Sequence, residues 1–168
     1  MRQALPVRPA TLSRGFLLPV AALCALLTAC GGGDDDAATA AAAGGTLTLS
    51  AATPAAQATT IDLSTATTKG TNARPADGFS SVPYCEVFWE NATGANGKKY
   101  AVQVYFRQDN KQPMHASVFE VTSGWSVYEN NNGATITGIT VDTTARTLVF
   151  NNKALAGLGT DAATVAGT

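Results

Sequence analysis

The chain has 168 residues, of which 45% are hydrophobic and 14% are charged, and its formal net charge at pH 7 is −1. Three of the eleven basic residues precede residue 30, so the chain from there onward carries eight basic and twelve acidic residues, a net charge near −4. Because the chain has no stripe of basic residues, nucleic-acid binding is excluded. Electrostatic binding to anionic lipid is not expected for the same reason. The single histidine, His115, also excludes a His-rich zinc site.

The first thirty residues have the layout of a secretory signal peptide. Arginines stand at the start without any acidic residue, and an apolar run then begins at Phe16 and ends at Leu27. This run is shorter than the roughly 20 apolar residues that a spanning helix needs, and small residues follow it. We therefore predict that residues 1–29 are removed after export, by cleavage between Ala29 and Cys30.

The four residues Leu27, Thr28, Ala29 and Cys30 resemble the lipobox of bacterial lipoproteins. In that class the cysteine thiol accepts a diacylglyceryl group, the chain is cut before it, and the new amino terminus is acylated. The resemblance implies that Cys30 is lipidated and that its acyl chains hold the protein on a membrane. Gly31 stands where an Asp would favour retention in the inner membrane, so the resemblance also implies the outer membrane, facing the periplasm or the cell surface. The alternative is ordinary secretion, with Cys30 incidental.

Cysteine usage follows from the lipoprotein interpretation. Cys24 leaves with the signal peptide, and the lipid uses the sulfur of Cys30. Cys85 then remains alone, so no intrachain disulfide is expected. Because Cys85 lies in an apolar alternation, an inert buried thiol is favoured over a redox-active one.

Residues 30–45 are predicted to form a flexible tether. Gly, Asp and Ala dominate this stretch, and a helix this short is marginal in water. A flexible segment of this length reaches on the order of 20 Å. From Thr46 onward Thr and Val become frequent and the apolar residues recur with a period of two, so residues 46–168 are predicted to form a single β-domain.

Short β-strands separated by turn residues are predicted along this domain. They are expected over residues 46–50, 59–63, 84–90, 100–107, 114–121, 125–129, 134–141 and 146–151. A long loop is predicted over residues 64–83, and the tail after Leu155 is expected to fray. Frequent turns favour an all-β fold, an antiparallel meander closed as a β-sandwich or a small barrel.

Two strand pairings are predicted residue by residue. In the first hairpin, a two-residue turn at Asn96-Gly97 sets the register. The pairs predicted across it are Trp89 with Val104, Val87 with Phe106, Glu86 with Arg107, and Phe88 with Tyr105. The pairs predicted across a later hairpin are Val141 with Leu148 and Ile139 with Phe150. Both registers keep apolar residues opposite apolar residues, which stabilises a sheet.

One face of the first hairpin carries a candidate binding site. Its aromatic side chains alternate with charged and polar ones, which suits stacking on a sugar or docking of a partner protein. The residues predicted for this face are Tyr84, Phe88, Tyr105 and Arg107. The alternative is that the face is the second buried face of a sandwich sheet. Trp89 and Trp125 are predicted to lie in the core.

The sequence contains no Gly-x-Ser-x-Gly elbow, phosphate-binding glycine loop or calcium loop. His115 is predicted to be a surface residue. Acidic residues that could include a glycosidase pair are Glu86, Glu90, Asp109, Glu120 and Glu129.

These observations favour a lipid-anchored envelope protein with a non-enzymatic β-domain in protein interaction or a structural role. No metal or cofactor is expected besides the covalent acyl lipid on Cys30. The first alternative is a module that binds a glycan or another small ligand of the envelope. The second is a hydrolase that uses an acid pair or His115.

Overall fold

A computed structural model describes Cys30, residues 44–131 and residues 133–168. The predicted signal peptide and most of the predicted tether lie outside the described residues. Within these ranges, no helix is long and apolar enough to cross a membrane.

Ten β-strands account for most of the described chain. They are β1 (Thr46–Thr53), β2 (Thr59–Asp62), β3 (Thr68–Arg74), β4 (Tyr84–Gly94), β5 (Lys99–Arg107), β6 (Pro113–Glu120), β7 (Ser126–Asn130), β8 (Ile139–Asp142), β9 (Thr147–Ala156) and β10 (Ala162–Gly167). Short 3-10 turns at Ala55–Gln57 and Leu63–Thr65 flank β2.

The strands form one antiparallel sheet that closes into a barrel. The order around the barrel is β10-β1-β2-β4-β5-β6-β7-β9, and the circle closes because β10 pairs with both β1 and β9. β3 and β8 lie outside this circle of eight strands, β3 on β4 and β8 on β9. The prediction of an all-β antiparallel fold is confirmed, and of the two predicted forms the chain adopts the barrel.

Apolar side chains from alternate strand positions fill the barrel. On β5, for example, Tyr100, Val102 and Val104 are fully buried, while the residues between them are partly exposed. Trp89 and Trp125 are 5% and 6% exposed, which confirms their predicted place in the core.

The first hairpin keeps its predicted faces, but its predicted register is wrong by two residues. The observed pairs are Trp89 with Val102, Val87 with Val104, Glu86 with Tyr105, and Phe88 with Gln103. One residue of the shift arises at the turn, which is longer than predicted and contains Gly97 at a φ of 78°. The other arises at a bulge between Trp89 and Ala92. Because the two shifts add to an even number, every side chain stays on its predicted face.

The later hairpin has the predicted register. β8 and β9 pair Val141 with Leu148 and Ile139 with Phe150, as expected. The strand predicted over residues 134–141 is shorter, however, and begins only at Ile139. Turns and bends precede it, and Gly138 has a φ of 80°, a conformation that does not continue a strand.

Two segments that were predicted to lack regular structure are strands. The loop predicted over residues 64–83 contains β3, which pairs along β4, and the tail after Leu155 contains β10, which closes the barrel instead of fraying. The only residue that β3 buries is Gly70, and β10 buries only Ala163 and Val165. The period-two pattern of large apolar residues that identifies a strand is therefore missing from both.

Candidate functional site

The two strands outside the circle of eight define an opening at one end of the barrel. β3 runs along β4 beyond the point where β2 ends, and β8 runs along β9 beyond the end of β10. Within the described part of the chain, β3 and β8 each pair with a neighbouring strand on one side only. A cavity opens between them, and because Cys30 lines it, we call this part of the molecule the Cys30 end.

The cavity at the Cys30 end has a volume of about 170 Å³ and a mainly apolar lining. The apolar side chains are Leu47, Leu63, Val87, Trp89, Phe106, Val141, Leu148 and Phe150. The polar ones are Thr71, Asp142, Thr143, Arg146, Thr147 and Thr168, and Gly44 also contributes. An apolar cavity of about 150 Å³ binds benzene in another protein, so this space suits an apolar group of about six carbon atoms.

Cys30 is held at the cavity because its sulfur is bonded to that of Cys85. Cys85 is fully buried on β4, and the two Cα atoms are 5.5 Å apart. The Cys30 sulfur also lies 4.0 Å from the carbonyl oxygen of Asn72 on β3.

The expectation that Cys85 is a free thiol without a disulfide partner is therefore wrong. That expectation assigned the sulfur of Cys30 to a lipid and so left Cys85 alone. A thioether to lipid and a disulfide to Cys85 exclude each other, because each needs the same bonding position of the Cys30 sulfur. The disulfide thus belongs to a form of the chain in which that sulfur carries no lipid.

The predicted binding face lies on the outside of the barrel and is largely covered by the chain itself. Tyr84 is only 5% exposed, because Phe79 from the segment between β3 and β4 packs on it with a centroid distance of 5.5 Å. The Phe79 ring also lies 5.1 Å from Tyr105, in an edge-on arrangement. Asp77 accepts a hydrogen bond of 2.9 Å from the Tyr84 hydroxyl. Burial and this neighbouring carboxylate raise the pKa of Tyr84 to about 12.

The four predicted residues of this face do not form one open surface. Tyr84 and Tyr105 are in ring contact at 5.4 Å. Arg107 instead pairs with Asp109, with 2.7 Å between nitrogen and oxygen, and Phe88 lies farther along β4 opposite Gln103. The face is therefore a small packed cluster rather than an exposed platform.

His115 belongs to the same aromatic cluster. Its ring lies 4.8 Å from that of Tyr105 and 5.8 Å from that of Phe79. The prediction of a surface residue is only partly correct, because the ring lies on the outside of the barrel but is half-buried, and its Nδ1 atom is buried without a hydrogen-bond partner among the described residues. Burial lowers the pKa of His115, so the neutral form is favoured.

An ion pair between a buried carboxylate and a half-exposed arginine supports the cluster from the side of β3. Glu86 is 6% exposed, and its carboxylate lies 2.5 Å from the guanidinium of Arg74 and 3.2 Å from the amide nitrogen of Asn72. The hydrogen bond and the charge of Glu86 raise the pKa of Arg74. This pairing satisfies a carboxylate that would otherwise be costly to bury.

Most of the other candidate acids also have local structural partners. Glu120 is buried and accepts hydrogen bonds from the backbone N–H groups of Thr122 and Ser123, at 2.8 and 2.9 Å. Burial alone would raise the pKa of Glu120, but the hydrogen bonds from Ser123 and Thr122 outweigh it, and the pKa lies below its usual value. Glu129 lies 2.5 Å from the Lys153 ammonium. Within the described ranges, no group of three or more His, Cys, Asp and Glu side chains is placed to hold a metal ion.

Comparison with known proteins finds no matching family model, no matching curated protein and no matching solved structure. The candidate site therefore rests on geometry. Sequence reasoning placed Trp89 in the core and paired Val87 with Phe106 across the first hairpin. It missed the cavity, because the cavity exists only where β3 and β8 leave a gap, and β3 itself carries no hydrophobic pattern.

Proposed function

We propose that this chain is a lipid-anchored protein of the bacterial envelope whose barrel binds a small apolar ligand and catalyses no reaction. The apolar cavity at the Cys30 end carries the proposal. Small-molecule sites are concave and mostly apolar with a few polar groups, and the mouths of β-barrels are among their usual places. This observation favours the small-ligand alternative over the interaction role that the sequence put first.

The hydrophobic effect supplies the affinity of such a site. Each methylene group moved from water into the cavity contributes about 0.8 kcal/mol. For about six carbon atoms the gain is on the order of 5 kcal/mol, before the entropy lost on binding is subtracted. Thr71, Thr143 and Thr147 also line the cavity, and a threonine hydroxyl can form a hydrogen bond to a polar head group. The expected ligand is therefore an amphiphile with a narrow apolar chain.

The ligand proposal is tested by a thermal-shift screen of residues 30–168 made without lipid. The panel contains medium-chain fatty acids, glycan fragments of the envelope and metal ions. A fatty acid at a hundred times its dissociation constant stabilises the fold by about 2.7 kcal/mol, which raises the Tm by about 10 °C.

Two variants localise the binding. Val87→Phe fills the cavity and should abolish the shift, whereas Val121→Phe, at a position 42% exposed beyond the end of β6, should preserve it. A panel in which acyl compounds give no shift, or a shift that survives Val87→Phe, contradicts the proposal.

The anchor belongs to the same proposal and is supported by the lipobox-like segment that ends at Cys30. The acyl chains hold the protein on the outer membrane, facing the periplasm or the cell surface. The Cys30→Ala variant should move the protein from the membrane to the soluble fraction. If the variant remains on the membrane, Cys30 is not the anchor.

A second candidate is contact with another envelope protein through the outside of β6 and β7. Phe119 and Tyr128 are 39% and 40% exposed, and they are diagonal neighbours, because Phe119 pairs with Ser126 and Tyr128 with Ser117. Exposed aromatic pairs of this kind are typical of interaction surfaces. Loss of cross-linked species in a Tyr128→Ser variant, within intact cells, would support this role, and an unchanged pattern would count against it.

A further inference from the structure

We infer that Cys85 regulates the lipidation of Cys30. In a folded chain that has no lipid, Cys85 captures the Cys30 thiol as a disulfide, and the captured sulfur is closed to lipid until the disulfide is reduced. This inference rests on the proposed function, because it takes the lipidation of Cys30 as given. It adds a control of the anchor by the thiol oxidants and reductants that the protein meets.

The bond between the two sulfurs carries the inference. Cys30 is the residue at which the lipobox-like segment ends, and its sulfur is bonded to that of Cys85, which lies near the start of β4. Lipidation needs the same sulfur as a free thiol. The pair therefore has two exclusive products: a disulfide that leaves Cys30 without lipid, and a thioether that leaves Cys85 as a thiol.

The two sulfurs differ in their access to other reagents. Cys85 is fully buried, whereas Cys30 is only partly buried, with its sulfur 4.0 Å from the carbonyl oxygen of Asn72 on β3. Thiol–disulfide exchange requires access to the sulfur that is attacked. In the folded barrel, therefore, an outside thiol reaches the sulfur of Cys30 and not that of Cys85. Because these are the only cysteines in the part of the chain that the structure describes, the capture is specific to Cys30 there.

The capture is an oxidation of two thiols. A disulfide oxidant accepts their two electrons, the sulfur–sulfur bond forms between Cys30 and Cys85, and the oxidant leaves as two thiols that carry the two protons.

The release reverses this exchange. One thiolate of a dithiol reductant attacks the accessible Cys30 sulfur, and Cys85 leaves as a thiolate that takes up a proton. The second thiolate of the reductant then displaces the Cys30 sulfur, and the reductant becomes a disulfide. The free Cys30 thiol can now displace the phosphate head group of a glycerophospholipid. A carbon–sulfur bond forms, the carbon–oxygen bond to phosphate breaks, and the thiol proton leaves with the phosphate.

The test measures lipid on the full-length protein in cells. An alkyne fatty acid, supplied during synthesis, labels the lipidated chains, and a maleimide polymer counts free thiols after acid quenching. The parent is compared with Cys85→Ala, which keeps the lipobox-like segment and removes the capturing thiol. Val127→Ala is the control, because it shortens another fully buried side chain and keeps both cysteines. Each chain is labelled with and without diamide, an oxidant of thiols.

Diamide should lower the lipid label of the parent several-fold, and the unlabelled chains should contain the disulfide between Cys30 and Cys85. Diamide should leave the label of Cys85→Ala unchanged, and Val127→Ala should behave like the parent. An equal loss of label in the parent and in Cys85→Ala, or a parent label that diamide does not lower, overturns the inference and leaves the anchor in place. A Cys30→Ala variant that is labelled as strongly as the parent overturns the anchor itself.

A second measurement tests the difference in access without relying on lipid. The oxidised, unlipidated protein is purified from the diamide-treated cells, reduced with dithiothreitol under native conditions and treated with iodoacetamide. Peptide mass spectrometry should find Cys30 modified in the folded protein, and Cys85 modified only after denaturation. If the Cys85 thiol reacts as fast as the Cys30 thiol, the capture by a buried thiol is wrong.

Discussion

The two ends of the barrel are built in opposite ways. At the end away from Cys30, the hydroxyl of Tyr100 donates to Gln57 at 3.1 Å and accepts from the amide of Asn96 at 2.9 Å, and Lys98 donates to the same Gln57 oxygen at 3.1 Å. This polar network closes the barrel. At the Cys30 end, apolar side chains surround an open space.

This difference between the two ends shows where a small barrel has room for a ligand. An eight-stranded barrel is just wide enough for its own side chains to fill. One end is filled and its polar groups are hydrogen-bonded, which stabilises the fold. The other is widened by β3 and β8, which leave a gap that none of the described strands closes.

The largest expected loss of stability comes from a substitution at the closed end of the barrel, the end away from Cys30. Replacing the buried aromatic side chain in Tyr100→Ala should lower the free energy of unfolding by about 3–5 kcal/mol, because it leaves a cavity and breaks two hydrogen bonds. Val87→Ala only enlarges an existing space and should cost about 1–2 kcal/mol. Urea unfolding measures both, and equal losses would contradict the difference between the ends.

The next largest change in stability distinguishes the chain with a Cys30–Cys85 disulfide from the proposed form in which Cys30 carries lipid. In the oxidised chain without lipid, Cys85→Ala should cost about 2–4 kcal/mol, because it removes a disulfide that joins residues 55 positions apart. In a lipidated protein no disulfide exists, so the same variant should cost only about 1 kcal/mol, for the small space that the buried sulfur leaves. Unfolding with and without reductant measures the difference, and a large loss in the lipidated protein would mean that its Cys30 sulfur is not bonded to lipid.

A smaller effect concerns the turn after β6, at the closed end. Hydrogen bonds hold the folded pKa of Glu120 below its usual value, so its stabilising contribution is present at neutral pH and is lost as the pH falls through that folded pKa. Glu120→Gln should lower stability by about 1–2 kcal/mol at neutral pH. It should also flatten the loss of stability below about pH 4.5. A variant whose acid unfolding curve is parallel to that of the parent would refute this role.

The smallest effect concerns His115, on the outside of the barrel. Because burial lowers its folded pKa, protons bind more readily to the unfolded chain, and stability falls as the pH drops below about 6.5. His115→Phe removes this dependence and the unpartnered Nδ1 atom. We expect the variant to gain up to about 1 kcal/mol relative to the parent at pH 5 but less at pH 8. Thermal unfolding at the two pH values measures it, and a gain that is independent of pH contradicts the assignment.

Local patterns in the sequence predicted the walls of the barrel but not its opening. Alternation placed Val87 and Trp89 on the inner face of β4, and the register of β8 with β9 was correct to the residue. β3 and β10 were missed because main-chain pairing, rather than large apolar side chains, makes them strands. The packed aromatic cluster was misjudged because Phe79 reaches it from a segment with no regular pattern.

The central claim is that the Cys30 end binds an acyl chain in the cavity, and fluorescence quenching of the unlipidated chain by a free brominated fatty acid tests it most directly. The account predicts that Trp89 is quenched in the Trp125→Phe variant, with saturation as the ligand is added. The Nε1 of Trp125 donates a hydrogen bond of 2.9 Å to the carbonyl oxygen of Thr53 at the closed end, so the fluorescence of Trp125 should not be quenched in the Trp89→Phe variant. Equal quenching of the two tryptophans, or quenching of Trp125 alone, would contradict the account.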